Sequence, residues 1–296
     1  MSSAAAILDG ELLRAFVAFA EARSFTHAAR AVGLSQPALF ERVGRLGEAV
    51  GAALYEREGR ALRLTAAGER VAAFARESLA RARAFAGQLH GEAARETVVL
   101  AAGEGSYLYL LGPALAAFAR EDAAELQLLT RGARDVAAAV REGAAQLGVA
   151  VLDLVPEGLV GRELVRTPVC VALAARHPLA ARRSLRLADL ARERLILAPS
   201  GQVHRDFVGR ALAGVGHAAG PPIEADGWPL MLHFASLGLG VAIINGTCKL
   251  PRGLVARRVR ELGEVTYKLV TRRGATLAPA AARLADRIAA SAAGRR

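Results

Sequence analysis

Apolar residues recur at helical spacing near the start of the chain. Residues 12–20 follow this pattern and are predicted to form a first helix, after an Asp9 whose carboxylate can cap the free N–H groups of the helix start. Thr26 can cap a short second helix that ends at Val32, and Gly33 then supplies a turn. The chain is therefore predicted to begin with two short helices.

A third helix is predicted from Ser35, which can cap it, with Pro37 tolerated in its first turn. One apolar stripe faces inward and consists of Leu39, Val43, Leu46 and Val50. The opposite face carries Pro37, Glu41, Gly44, Arg45 and Glu48, with Gln36 and Phe40 on one flank and Arg42 on the other. A short helix, a glycine turn and a helix with a polar outer face predict a helix-turn-helix whose second helix fits the DNA major groove.

Residues 54–64 predict a wing hairpin, because two short extended pieces flank a Gly-Arg turn. Its three arginines, Arg57, Arg60 and Arg63, are suited to contact phosphates or a narrow minor groove. A solvated hairpin face is the alternative interpretation. Such contacts would position the domain on DNA and would not specify the base sequence.

A long helix is predicted over residues 66–90, with Thr65 as its cap. Its single apolar stripe consists of Val71, Phe74, Ser78, Ala82, Phe85 and Leu89. A lone helix cannot bury such a stripe, so we expect it to pack against the same helix of a second subunit.

From residue 97 onward, short apolar runs alternate with helical ones. The predicted runs are 98–102, 110–120, 126–130, 136–141, 147–152, 168–174, 195–198, 230–237, 241–244 and 267–271, with a closing helix over 277–293. This alternation favours an α/β fold with a mainly parallel sheet, and there is room for two lobes of similar size.

Charge and length refine this picture. The 296 residues, 53% of them hydrophobic, suggest about two domains. The net charge is +11, but residues 97–296 hold 26 basic against 17 acidic side chains, so the surplus does not locate a DNA-binding surface. This surplus favours an anionic small-molecule effector, with surface solubility as the alternative explanation.

The two cysteines, Cys170 and Cys248, are too few for a disulfide framework and favour free thiols in a reducing compartment. The first ten residues do not have the pattern of a signal peptide, and no apolar run approaches the ~18 residues of a membrane span. We therefore expect a cytoplasmic protein without a membrane partner.

Fixed spacings in the N-terminal region closely resemble the LysR-type transcriptional regulators. The matching stretches are FVAFAEARSFTHAA at 16–29, LSQPAL at 34–39, GAALYER at 51–57 and LTAAG at 64–68. Weaker similarities follow at HPLA (177–180), LADL (187–190) and GLGVA (238–242). The resemblance therefore extends across the chain, with its most specific part in the first 70 residues.

The resemblance implies an α/β fold class with a helical, winged helix-turn-helix DNA-binding domain at residues 1–65 and a long linker and dimerisation helix at 66–96. It also implies an effector-binding domain at 97–296, two-lobed like the type 2 periplasmic binding proteins. The first lobe would comprise residues 97–168 and 265–296, and the second residues 169–264. It further implies a dyad-symmetric DNA operator and a homo-oligomer, either a dimer or a homotetramer built as a dimer of dimers.

The chain departs from the family pattern at several positions. Phe40-Glu41-Arg42 stands where the family usually has Ser-Arg-Gln, and Gly47 stands where it usually has Glu. Phe40 can touch a thymine methyl group and Glu41 can accept from cytosine N4, which predicts an unusual operator. Gln146 and Asn245 replace a usual aspartate and a usual proline in the effector region.

Candidate effector-binding residues follow predicted strands, where ligands of open α/β lobes bind. Ser106 and Thr130 lie in one lobe, and Ser200, Gly201 and Gln202 lie in the other, so they can face one cleft. For Ser106 an effector contact at a helix start and a plain cap are both open. Turn chemistry is the alternative for the others, and for the only tryptophan, Trp228, a place in the core is favoured over the cleft wall.

Catalytic, cofactor and metal motifs find little support. The stretch Gly103-Glu104-Gly105-Ser106 lacks the third glycine of a dinucleotide loop, because Leu108 stands there. His204 near Ser200 is a weak suggestion of a Ser/His pair, and the six histidines lack metal-ligand spacing. A ligand-responsive regulator is therefore predicted, against two alternatives: a cytoplasmic solute-binding module, or an α/β enzyme with a helical regulatory domain.

Overall fold

A computed structural model describes residues 9–59, 61–89, 96–214 and 220–294 of the chain. The chain divides into two compact units, Met1–Glu96 with Arg141–Ala145, and Thr97–Val140 with Gln146–Arg296. Within the described ranges, no helix combines the length and the apolar character that crossing a bilayer requires.

The N-terminal unit contains the predicted helix-turn-helix, wing and long helix. Its elements are α1 (Gly10–Ala22), α2 (Phe25–Val32), α3 (Gln36–Val50), β1 (Tyr55–Glu58), β2 (Ala61–Leu64) and α4 (Ala66–Leu89). The two strands pair antiparallel, with Tyr55 opposite Leu64 and Glu58 opposite Ala61. Gly59 makes the turn between them with φ 62°, a conformation that favours glycine.

The second helix begins earlier than predicted. Ser24, in extended conformation, accepts from the backbone N–H three residues on at 3.4 Å, so Ser24 and not Thr26 caps α2. Thr26 is already inside the first turn, and its hydroxyl donates to Gln36 Oε1 at 3.1 Å. An extended residue can turn its hydroxyl back onto a free helical N–H, which explains the difference. Asp9 and Ser35 cap α1 and α3 as predicted.

The predicted inward stripe of α3 anchors that helix. Leu39, Val43 and Leu46 are fully buried, and Val50 is half-buried. They pack in one core with Phe16 and Phe19 of α1. This core holds the outer face of α3 in a fixed orientation, since closely packed interiors leave little freedom to rotate.

The linker helix α4 has one buried side and one accessible side. Ala72 and Ala75 pack into the core of the N-terminal unit. Of the predicted dimerisation stripe, Val71 and Ser78 are half-buried, and Phe74 and Ala82 are exposed. The side chains of Phe85 and Leu89 lie outside what the structure describes. Within the described part of the stripe, Phe74 and Ala82 are therefore accessible to solvent and not covered by the subunit itself.

The C-terminal unit is an α/β structure. Its helical segments are α5 (Glu104–Ser106), which continues through a π-helical turn (Tyr107–Leu111) into α6 (Gly112–Glu121), then α7 (Ala133–Arg141), α8 (Val203–Ala213), α9 (Trp228–Ser236) and α10 (Pro279–Ala293). Short 3-10 turns cover Pro178–Ala181, Leu187–Leu190 and Arg260–Leu262. The strands are β3 (Thr97–Ala102), β4 (Glu125–Thr130), β5 (Leu147–Val151), β6 (Leu159–Ala174), β7 (Ser184–Leu185), β8 (Leu195–Leu197), β9 (Ile223–Glu224), β10 (Val241–Asn245), β11 (Leu254–Val259) and β12 (Glu264–Arg272).

The sheet is mixed rather than mainly parallel. Strands run in the order β4-β3-β5-β12-β6-β10-β8-β9, and β11 pairs with β6 and β7. The outer strands pair in parallel, whereas β12 and β6 run antiparallel to their neighbours. These two strands interrupt the helix-linked parallel order that the sequence pattern predicted.

Strand β6 is shared by two lobes. Residues 159–168 pair with β12, and residues 169–174 pair with β10 and β11. We call the part with β3, β4, β5 and β12 the first lobe, and the part with β7 to β11 the second lobe. One buried apolar cluster includes Leu100 of the first lobe and Ile243 of the second.

Candidate functional sites: an exposed helix and a cleft

The outer face of α3 presents side chains to solvent. Ser35, Gln36, Pro37, Glu41 and Arg45 are all exposed. The Ser35 hydroxyl accepts from a backbone N–H of the first turn at 3.3 Å, so part of its role is to cap the helix. The Gln36 amide oxygen accepts from Thr26 of α2, so this bond leaves the amide nitrogen of Gln36 unused. Glu41 and Arg45 make no side-chain hydrogen bond to any described residue, so both are available to a ligand.

The flanks of α3 are held in place by contacts with α1 and α2. Phe40 is 56% exposed, and its ring centroid lies 5.2 Å from that of Phe25. Arg42 is half-buried and donates to Glu11 at 2.7 Å. Phe40 therefore offers an oriented apolar surface, whereas Arg42 must leave an existing ion pair before it can contact DNA.

The wing arginines that the structure describes are exposed and only lightly engaged. Arg57 donates through Nε to the carbonyl of Gly59 at 3.1 Å, and Arg63 pairs with Glu58 at 2.6 Å. Arg60, the third predicted contact, lies outside the described residues. The side chains of Arg63 and Glu58 are 62% and 65% exposed, and surface pairs of this kind are weak enough to exchange for a phosphate.

A cleft of about 730 Å³ lies between the two lobes of the C-terminal unit, beyond the carboxyl ends of β3, β4 and β8. Four of the five predicted effector residues line it, namely Ser106, Thr130, Gly201 and Gln202. Ser106 is 5% exposed and its hydroxyl makes no hydrogen bond to any described residue. Gln202 donates through Nε2 to Asp226 Oδ1 at 2.9 Å. The volume is suited to a small organic ligand.

Ser200 does not line the cleft, contrary to the sequence prediction. Its hydroxyl donates to Glu224 Oε1 at 2.9 Å, across the parallel pair of β8 and β9. Ser200 lies three residues after the end of β8, and this hydrogen bond directs its side chain towards β9. The suggested Ser/His pair is also wrong, because neither ring nitrogen of His204 has a hydrogen-bond partner among the described residues.

Sequence reasoning missed two polar residues of the cleft wall. His204 lies in α8 with its imidazole edge-to-face against Trp228, at a centroid distance of 4.7 Å and an interplanar angle of 88°. Burial lowers the pKa of His204 to about 4, so its ring is neutral near pH 7. Trp228 is half-buried and lines the cleft, although a place in the core was favoured.

Asn245 is the second residue that was missed, and it is 3% exposed at the end of β10. Its Nδ2 donates to Tyr267 Oη at 2.8 Å, and that hydroxyl lies 3.4 Å from Thr247 Oγ1. Burial raises the pKa of Tyr267, so its hydroxyl keeps its proton. Asn245 Oδ1 is buried without a partner among the described residues. The absence of the usual proline at this position was the signal in the sequence.

Besides the hydrogen bond between Asn245 and Tyr267, further contacts join the lobes at the cleft. A Cβ atom on Gly105 of the first lobe would lie 2.0 Å from the Trp228 ring, and one on Gly227 of the second would lie 2.3 Å from Glu104. Arg134 of the first lobe pairs with Asp206 of the second at 3.0 Å. A side chain at position 105 would collide with the indole ring, whereas the exposed Glu104 carboxylate can move away from a Cβ at position 227.

Charged residues line the cleft without a strong bias of sign. The arginines are Arg131, Arg134 and Arg210, and the carboxylates are Glu104, Asp135, Asp153 and Asp226. All seven are exposed. The positive surplus of the C-terminal region is therefore not concentrated in the cleft.

Redox and metal chemistry have little basis among the described residues. Burial raises the pKa of Cys170, and it raises the pKa of Cys248 to about 12, so both thiols stay protonated near pH 7. No group of three or more His, Cys, Asp or Glu side chains in the described ranges is placed to hold a metal ion.

Comparison with known families matches both units. The bacterial regulatory helix-turn-helix proteins of the lysR family match residues 11–69, and the LysR substrate binding domain matches residues 91–293. The second match alone covers more than half of the chain.

Individual proteins show the same similarity. The chain is 33% identical over 186 residues to the uncharacterized regulator YnfL of Escherichia coli, an alignment that spans 61% of this chain and 62% of YnfL. It is 32% identical over 244 residues to a probable hydrogen peroxide-inducible genes activator of Mycobacterium avium, covering 78% of this chain and 76% of that protein. The crystal structure of ArgP from Mycobacterium tuberculosis superposes with a TM-score of 0.72 at 20% identity, covering 97% and 98% of the two chains.

Proposed function

Since the chain belongs to the LysR-type family of transcriptional regulators, we propose that it binds DNA through α3 and the wing and that a small molecule in the cleft regulates it. One observation carries the DNA-binding proposal. The buried side of α3 is fixed in an aromatic core, while Gln36, Phe40, Glu41 and Arg45 are exposed on its outer surface. A helix held in this way can present base-contacting side chains to the major groove.

The proposed domains are the DNA-binding domain at residues 1–65, the linker helix at 66–96 and the effector-binding domain at 97–296. The exposed Phe74 and Ala82 side of α4 supports a dimer through the linker helix. A dimer would present two copies of α3 to a dyad-symmetric operator. We also propose a dimer of dimers, acting in the cytoplasm where the operator is found.

Effector binding would act on the cleft contacts between the lobes. A ligand shifts a conformational equilibrium only if it binds one state better than the other. The approach of Gly105 to Trp228 and the pair of Arg134 and Asp206 join the two lobes in this structure, and opening of the cleft would break them. We propose that ligand binding changes these contacts, and through them the placement of paired subunits on DNA.

The charge surplus of the sequence favoured an anionic effector. The lining of the cleft supports this only weakly, because four carboxylates face three arginines and Arg134 is already paired. A response to hydrogen peroxide, which the name of the Mycobacterium avium relative suggests, is not favoured either. Both thiols of this chain are shielded and protonated, and a thiolate is the reactive form.

A mobility-shift assay with genomic fragments at low salt tests the DNA-binding proposal. We expect retarded complexes whose affinity falls steeply as salt is raised, because phosphate contacts release counterions. A triple variant of Gln36, Glu41 and Arg45 to alanine should abolish sequence preference while leaving the fold intact, since all three side chains are exposed. If the wild-type protein ignored DNA at low ionic strength, a solute-binding module would become the better interpretation.

Catalysis is a weaker alternative. The family consists of transcriptional regulators, and the Ser200 and His204 side chains do not form the hydrogen bond that a nucleophile and its base need. We therefore propose a regulatory role rather than an enzymatic one.

A further inference from the structure

The cleft wall contains three polar side chains with unused hydrogen-bonding capacity. The two ring nitrogens of His204 and Asn245 Oδ1 are buried without a hydrogen-bond partner among the described residues. The third is the hydroxyl of Ser106, a residue that is 5% exposed. Buried polar groups in folded proteins are nearly always hydrogen-bonded, so groups left over beside a cleft point to a missing partner. Their donor and acceptor types therefore describe that partner.

The unpaired atom of Asn245 requires a hydrogen-bond donor from the ligand. Its Nδ2 is already committed to Tyr267 Oη, which can in turn donate to Thr247 Oγ1. Only Oδ1 remains, and an amide oxygen accepts but cannot donate. A ligand must bring an N–H or O–H group to this position. A carboxylate would place acceptor against acceptor there.

His204 offers one donor and one acceptor. Its low pKa keeps the ring neutral, and a neutral imidazole carries one N–H and one free lone pair. The Ser106 hydroxyl, on the opposite lobe, can also donate or accept. The groups that converge on the cleft are thus suited to a ligand with both hydrogen-bond donors and acceptors.

The charged side chains that line the cleft are separate from these neutral hydrogen-bonding groups. Every carboxylate and guanidinium among the described lining residues is exposed, whereas the Ser106 and Asn245 side chains and the ring nitrogens of His204 are buried and neutral. Placing a charged ligand group against these three would remove it from water without an opposite charge beside it, which is unfavourable. An uncharged polar group does not incur that penalty.

We propose that the cleft binds an uncharged polar molecule in which an amide group, or an equivalent pair of donor and acceptor, meets Asn245 and Ser106. The apolar remainder of the ligand would lie against Trp228, Phe207 and Met231, which also line the cleft. This inference rests on the proposed effector function of the cleft and narrows the class of its ligand.

Trp228 is the natural reporter of such binding. It is the only tryptophan, and it packs on His204, whose nitrogens are out of reach of solvent in this structure. Because Trp228 lines the cleft and its ring contacts His204, a ligand bound beside them should change the Trp228 fluorescence.

The test compares how tightly the full-length protein binds pairs of molecules that have the same shape but differ in charge. Benzamide is measured against benzoate, and nicotinamide against nicotinate, by Trp228 fluorescence and by thermal shift at millimolar concentration. We expect at least one amide to bind ten times or more tightly than its carboxylate. Equal or tighter binding of the carboxylates would overturn the inference and leave the effector function standing. The inference also fails if neither amide produces a signal, whereas the mobility-shift assay judges DNA binding separately.

Substitutions locate the site. Asn245→Leu removes the acceptor and should weaken amide binding tenfold or more, and Ser106→Ala should weaken it as well. Ser200→Ala is the matched control, since its hydroxyl bonds to Glu224 outside the cleft, and it should bind as wild type does. If Asn245→Leu does not fold, the affinity of Ser106→Ala for the amide is the deciding measurement. Unchanged affinity in folded variants of Asn245 and Ser106 would overturn the assignment.

Discussion

The two units of this protein differ in where their candidate functional polar side chains lie. The N-terminal unit presents them outward from one helix, where neighbours in sequence are neighbours on the surface. The cleft of the C-terminal unit collects Ser106, His204 and Asn245 from three distant places in the chain, and it buries Ser106, Asn245 and the ring nitrogens of His204. A DNA-reading surface can therefore arise from local order, whereas a ligand site here depends on the packing of two lobes.

The largest predicted effect tests how much the N-terminal unit depends on one close approach. A Cβ atom on Gly68 would lie 1.9 Å from the carbonyl oxygen of Leu54, a backbone atom that cannot move aside easily. Gly68→Ala should therefore destabilise this unit by about 3 kcal/mol or more. Thermal unfolding followed by circular dichroism measures this.

Gly44→Ala is the matched control for Gly68→Ala. Gly44 is exposed on α3 with nothing within 4 Å of an added Cβ, so alanine should stabilise the helix by up to about 1 kcal/mol. If Gly68→Ala were as stable as Gly44→Ala, α4 could not approach the Leu54 carbonyl as closely as the structure shows.

The next effect concerns the burial of His204 in the C-terminal unit. Its pKa is about 4 in the folded protein against 6.5 when exposed, so below pH 6.5 the unfolded chain binds a proton that the folded chain excludes. Stability is therefore lost as pH falls from 6.5 towards 4, by about 2 kcal/mol between about pH 7 and about pH 5. Urea unfolding at both pH values measures this loss.

His204→Leu should reduce that loss, because leucine has no proton to bind. Substitution of the exposed His233 by leucine is the control and should leave the pH difference as in the wild type. A pH difference that His204→Leu does not reduce would show that other groups cause it.

DNA-binding measurements can distinguish residues of the N-terminal unit that contact phosphates from residues that contact bases. Arg57→Ala should weaken binding to all sequences alike and reduce the salt slope by about 0.9, because one phosphate contact is lost. Glu41→Ala should change the preference at one base position by about 1–3 kcal/mol and leave the salt slope unchanged. Fluorescence anisotropy on an operator and its single-base variants distinguishes the two. Loss at a single operator variant in Arg57→Ala would contradict the assigned phosphate role.

The smallest effect is expected at the mouth of the cleft. Arg134 and Asp206 form an exposed pair, and such pairs contribute about 1 kcal/mol at most. Arg134→Ala should therefore lower the melting temperature only slightly, and high salt should remove most of the difference. A large loss in Arg134→Ala would mean that this pair, rather than the packing of Gly105 on Trp228, holds the lobes together.

The predictable parts of the fold share one property, which is a short sequence signal. Asp9 and Ser35 cap helices as expected, and the stripe of Leu39, Val43 and Leu46 is buried. Ser24 and Thr26 were confused because both can cap a helix, and only the backbone conformation distinguishes them. The first half of β6 was missed because its residues 160–163 are exposed and carry no apolar run.

The sequence by itself determined the helix-turn-helix, the wing and the alternation of the C-terminal unit, because periodicity and capping act over a few residues. Only the tertiary structure decided which polar residues meet in the cleft. Ser200 bonds to Glu224 of the neighbouring strand, the approach of the two lobes sets Trp228 on Gly105, and packing within the second lobe places His204 against Trp228. Contacts between residues a hundred positions apart depend on the packing of whole elements, which local patterns do not record.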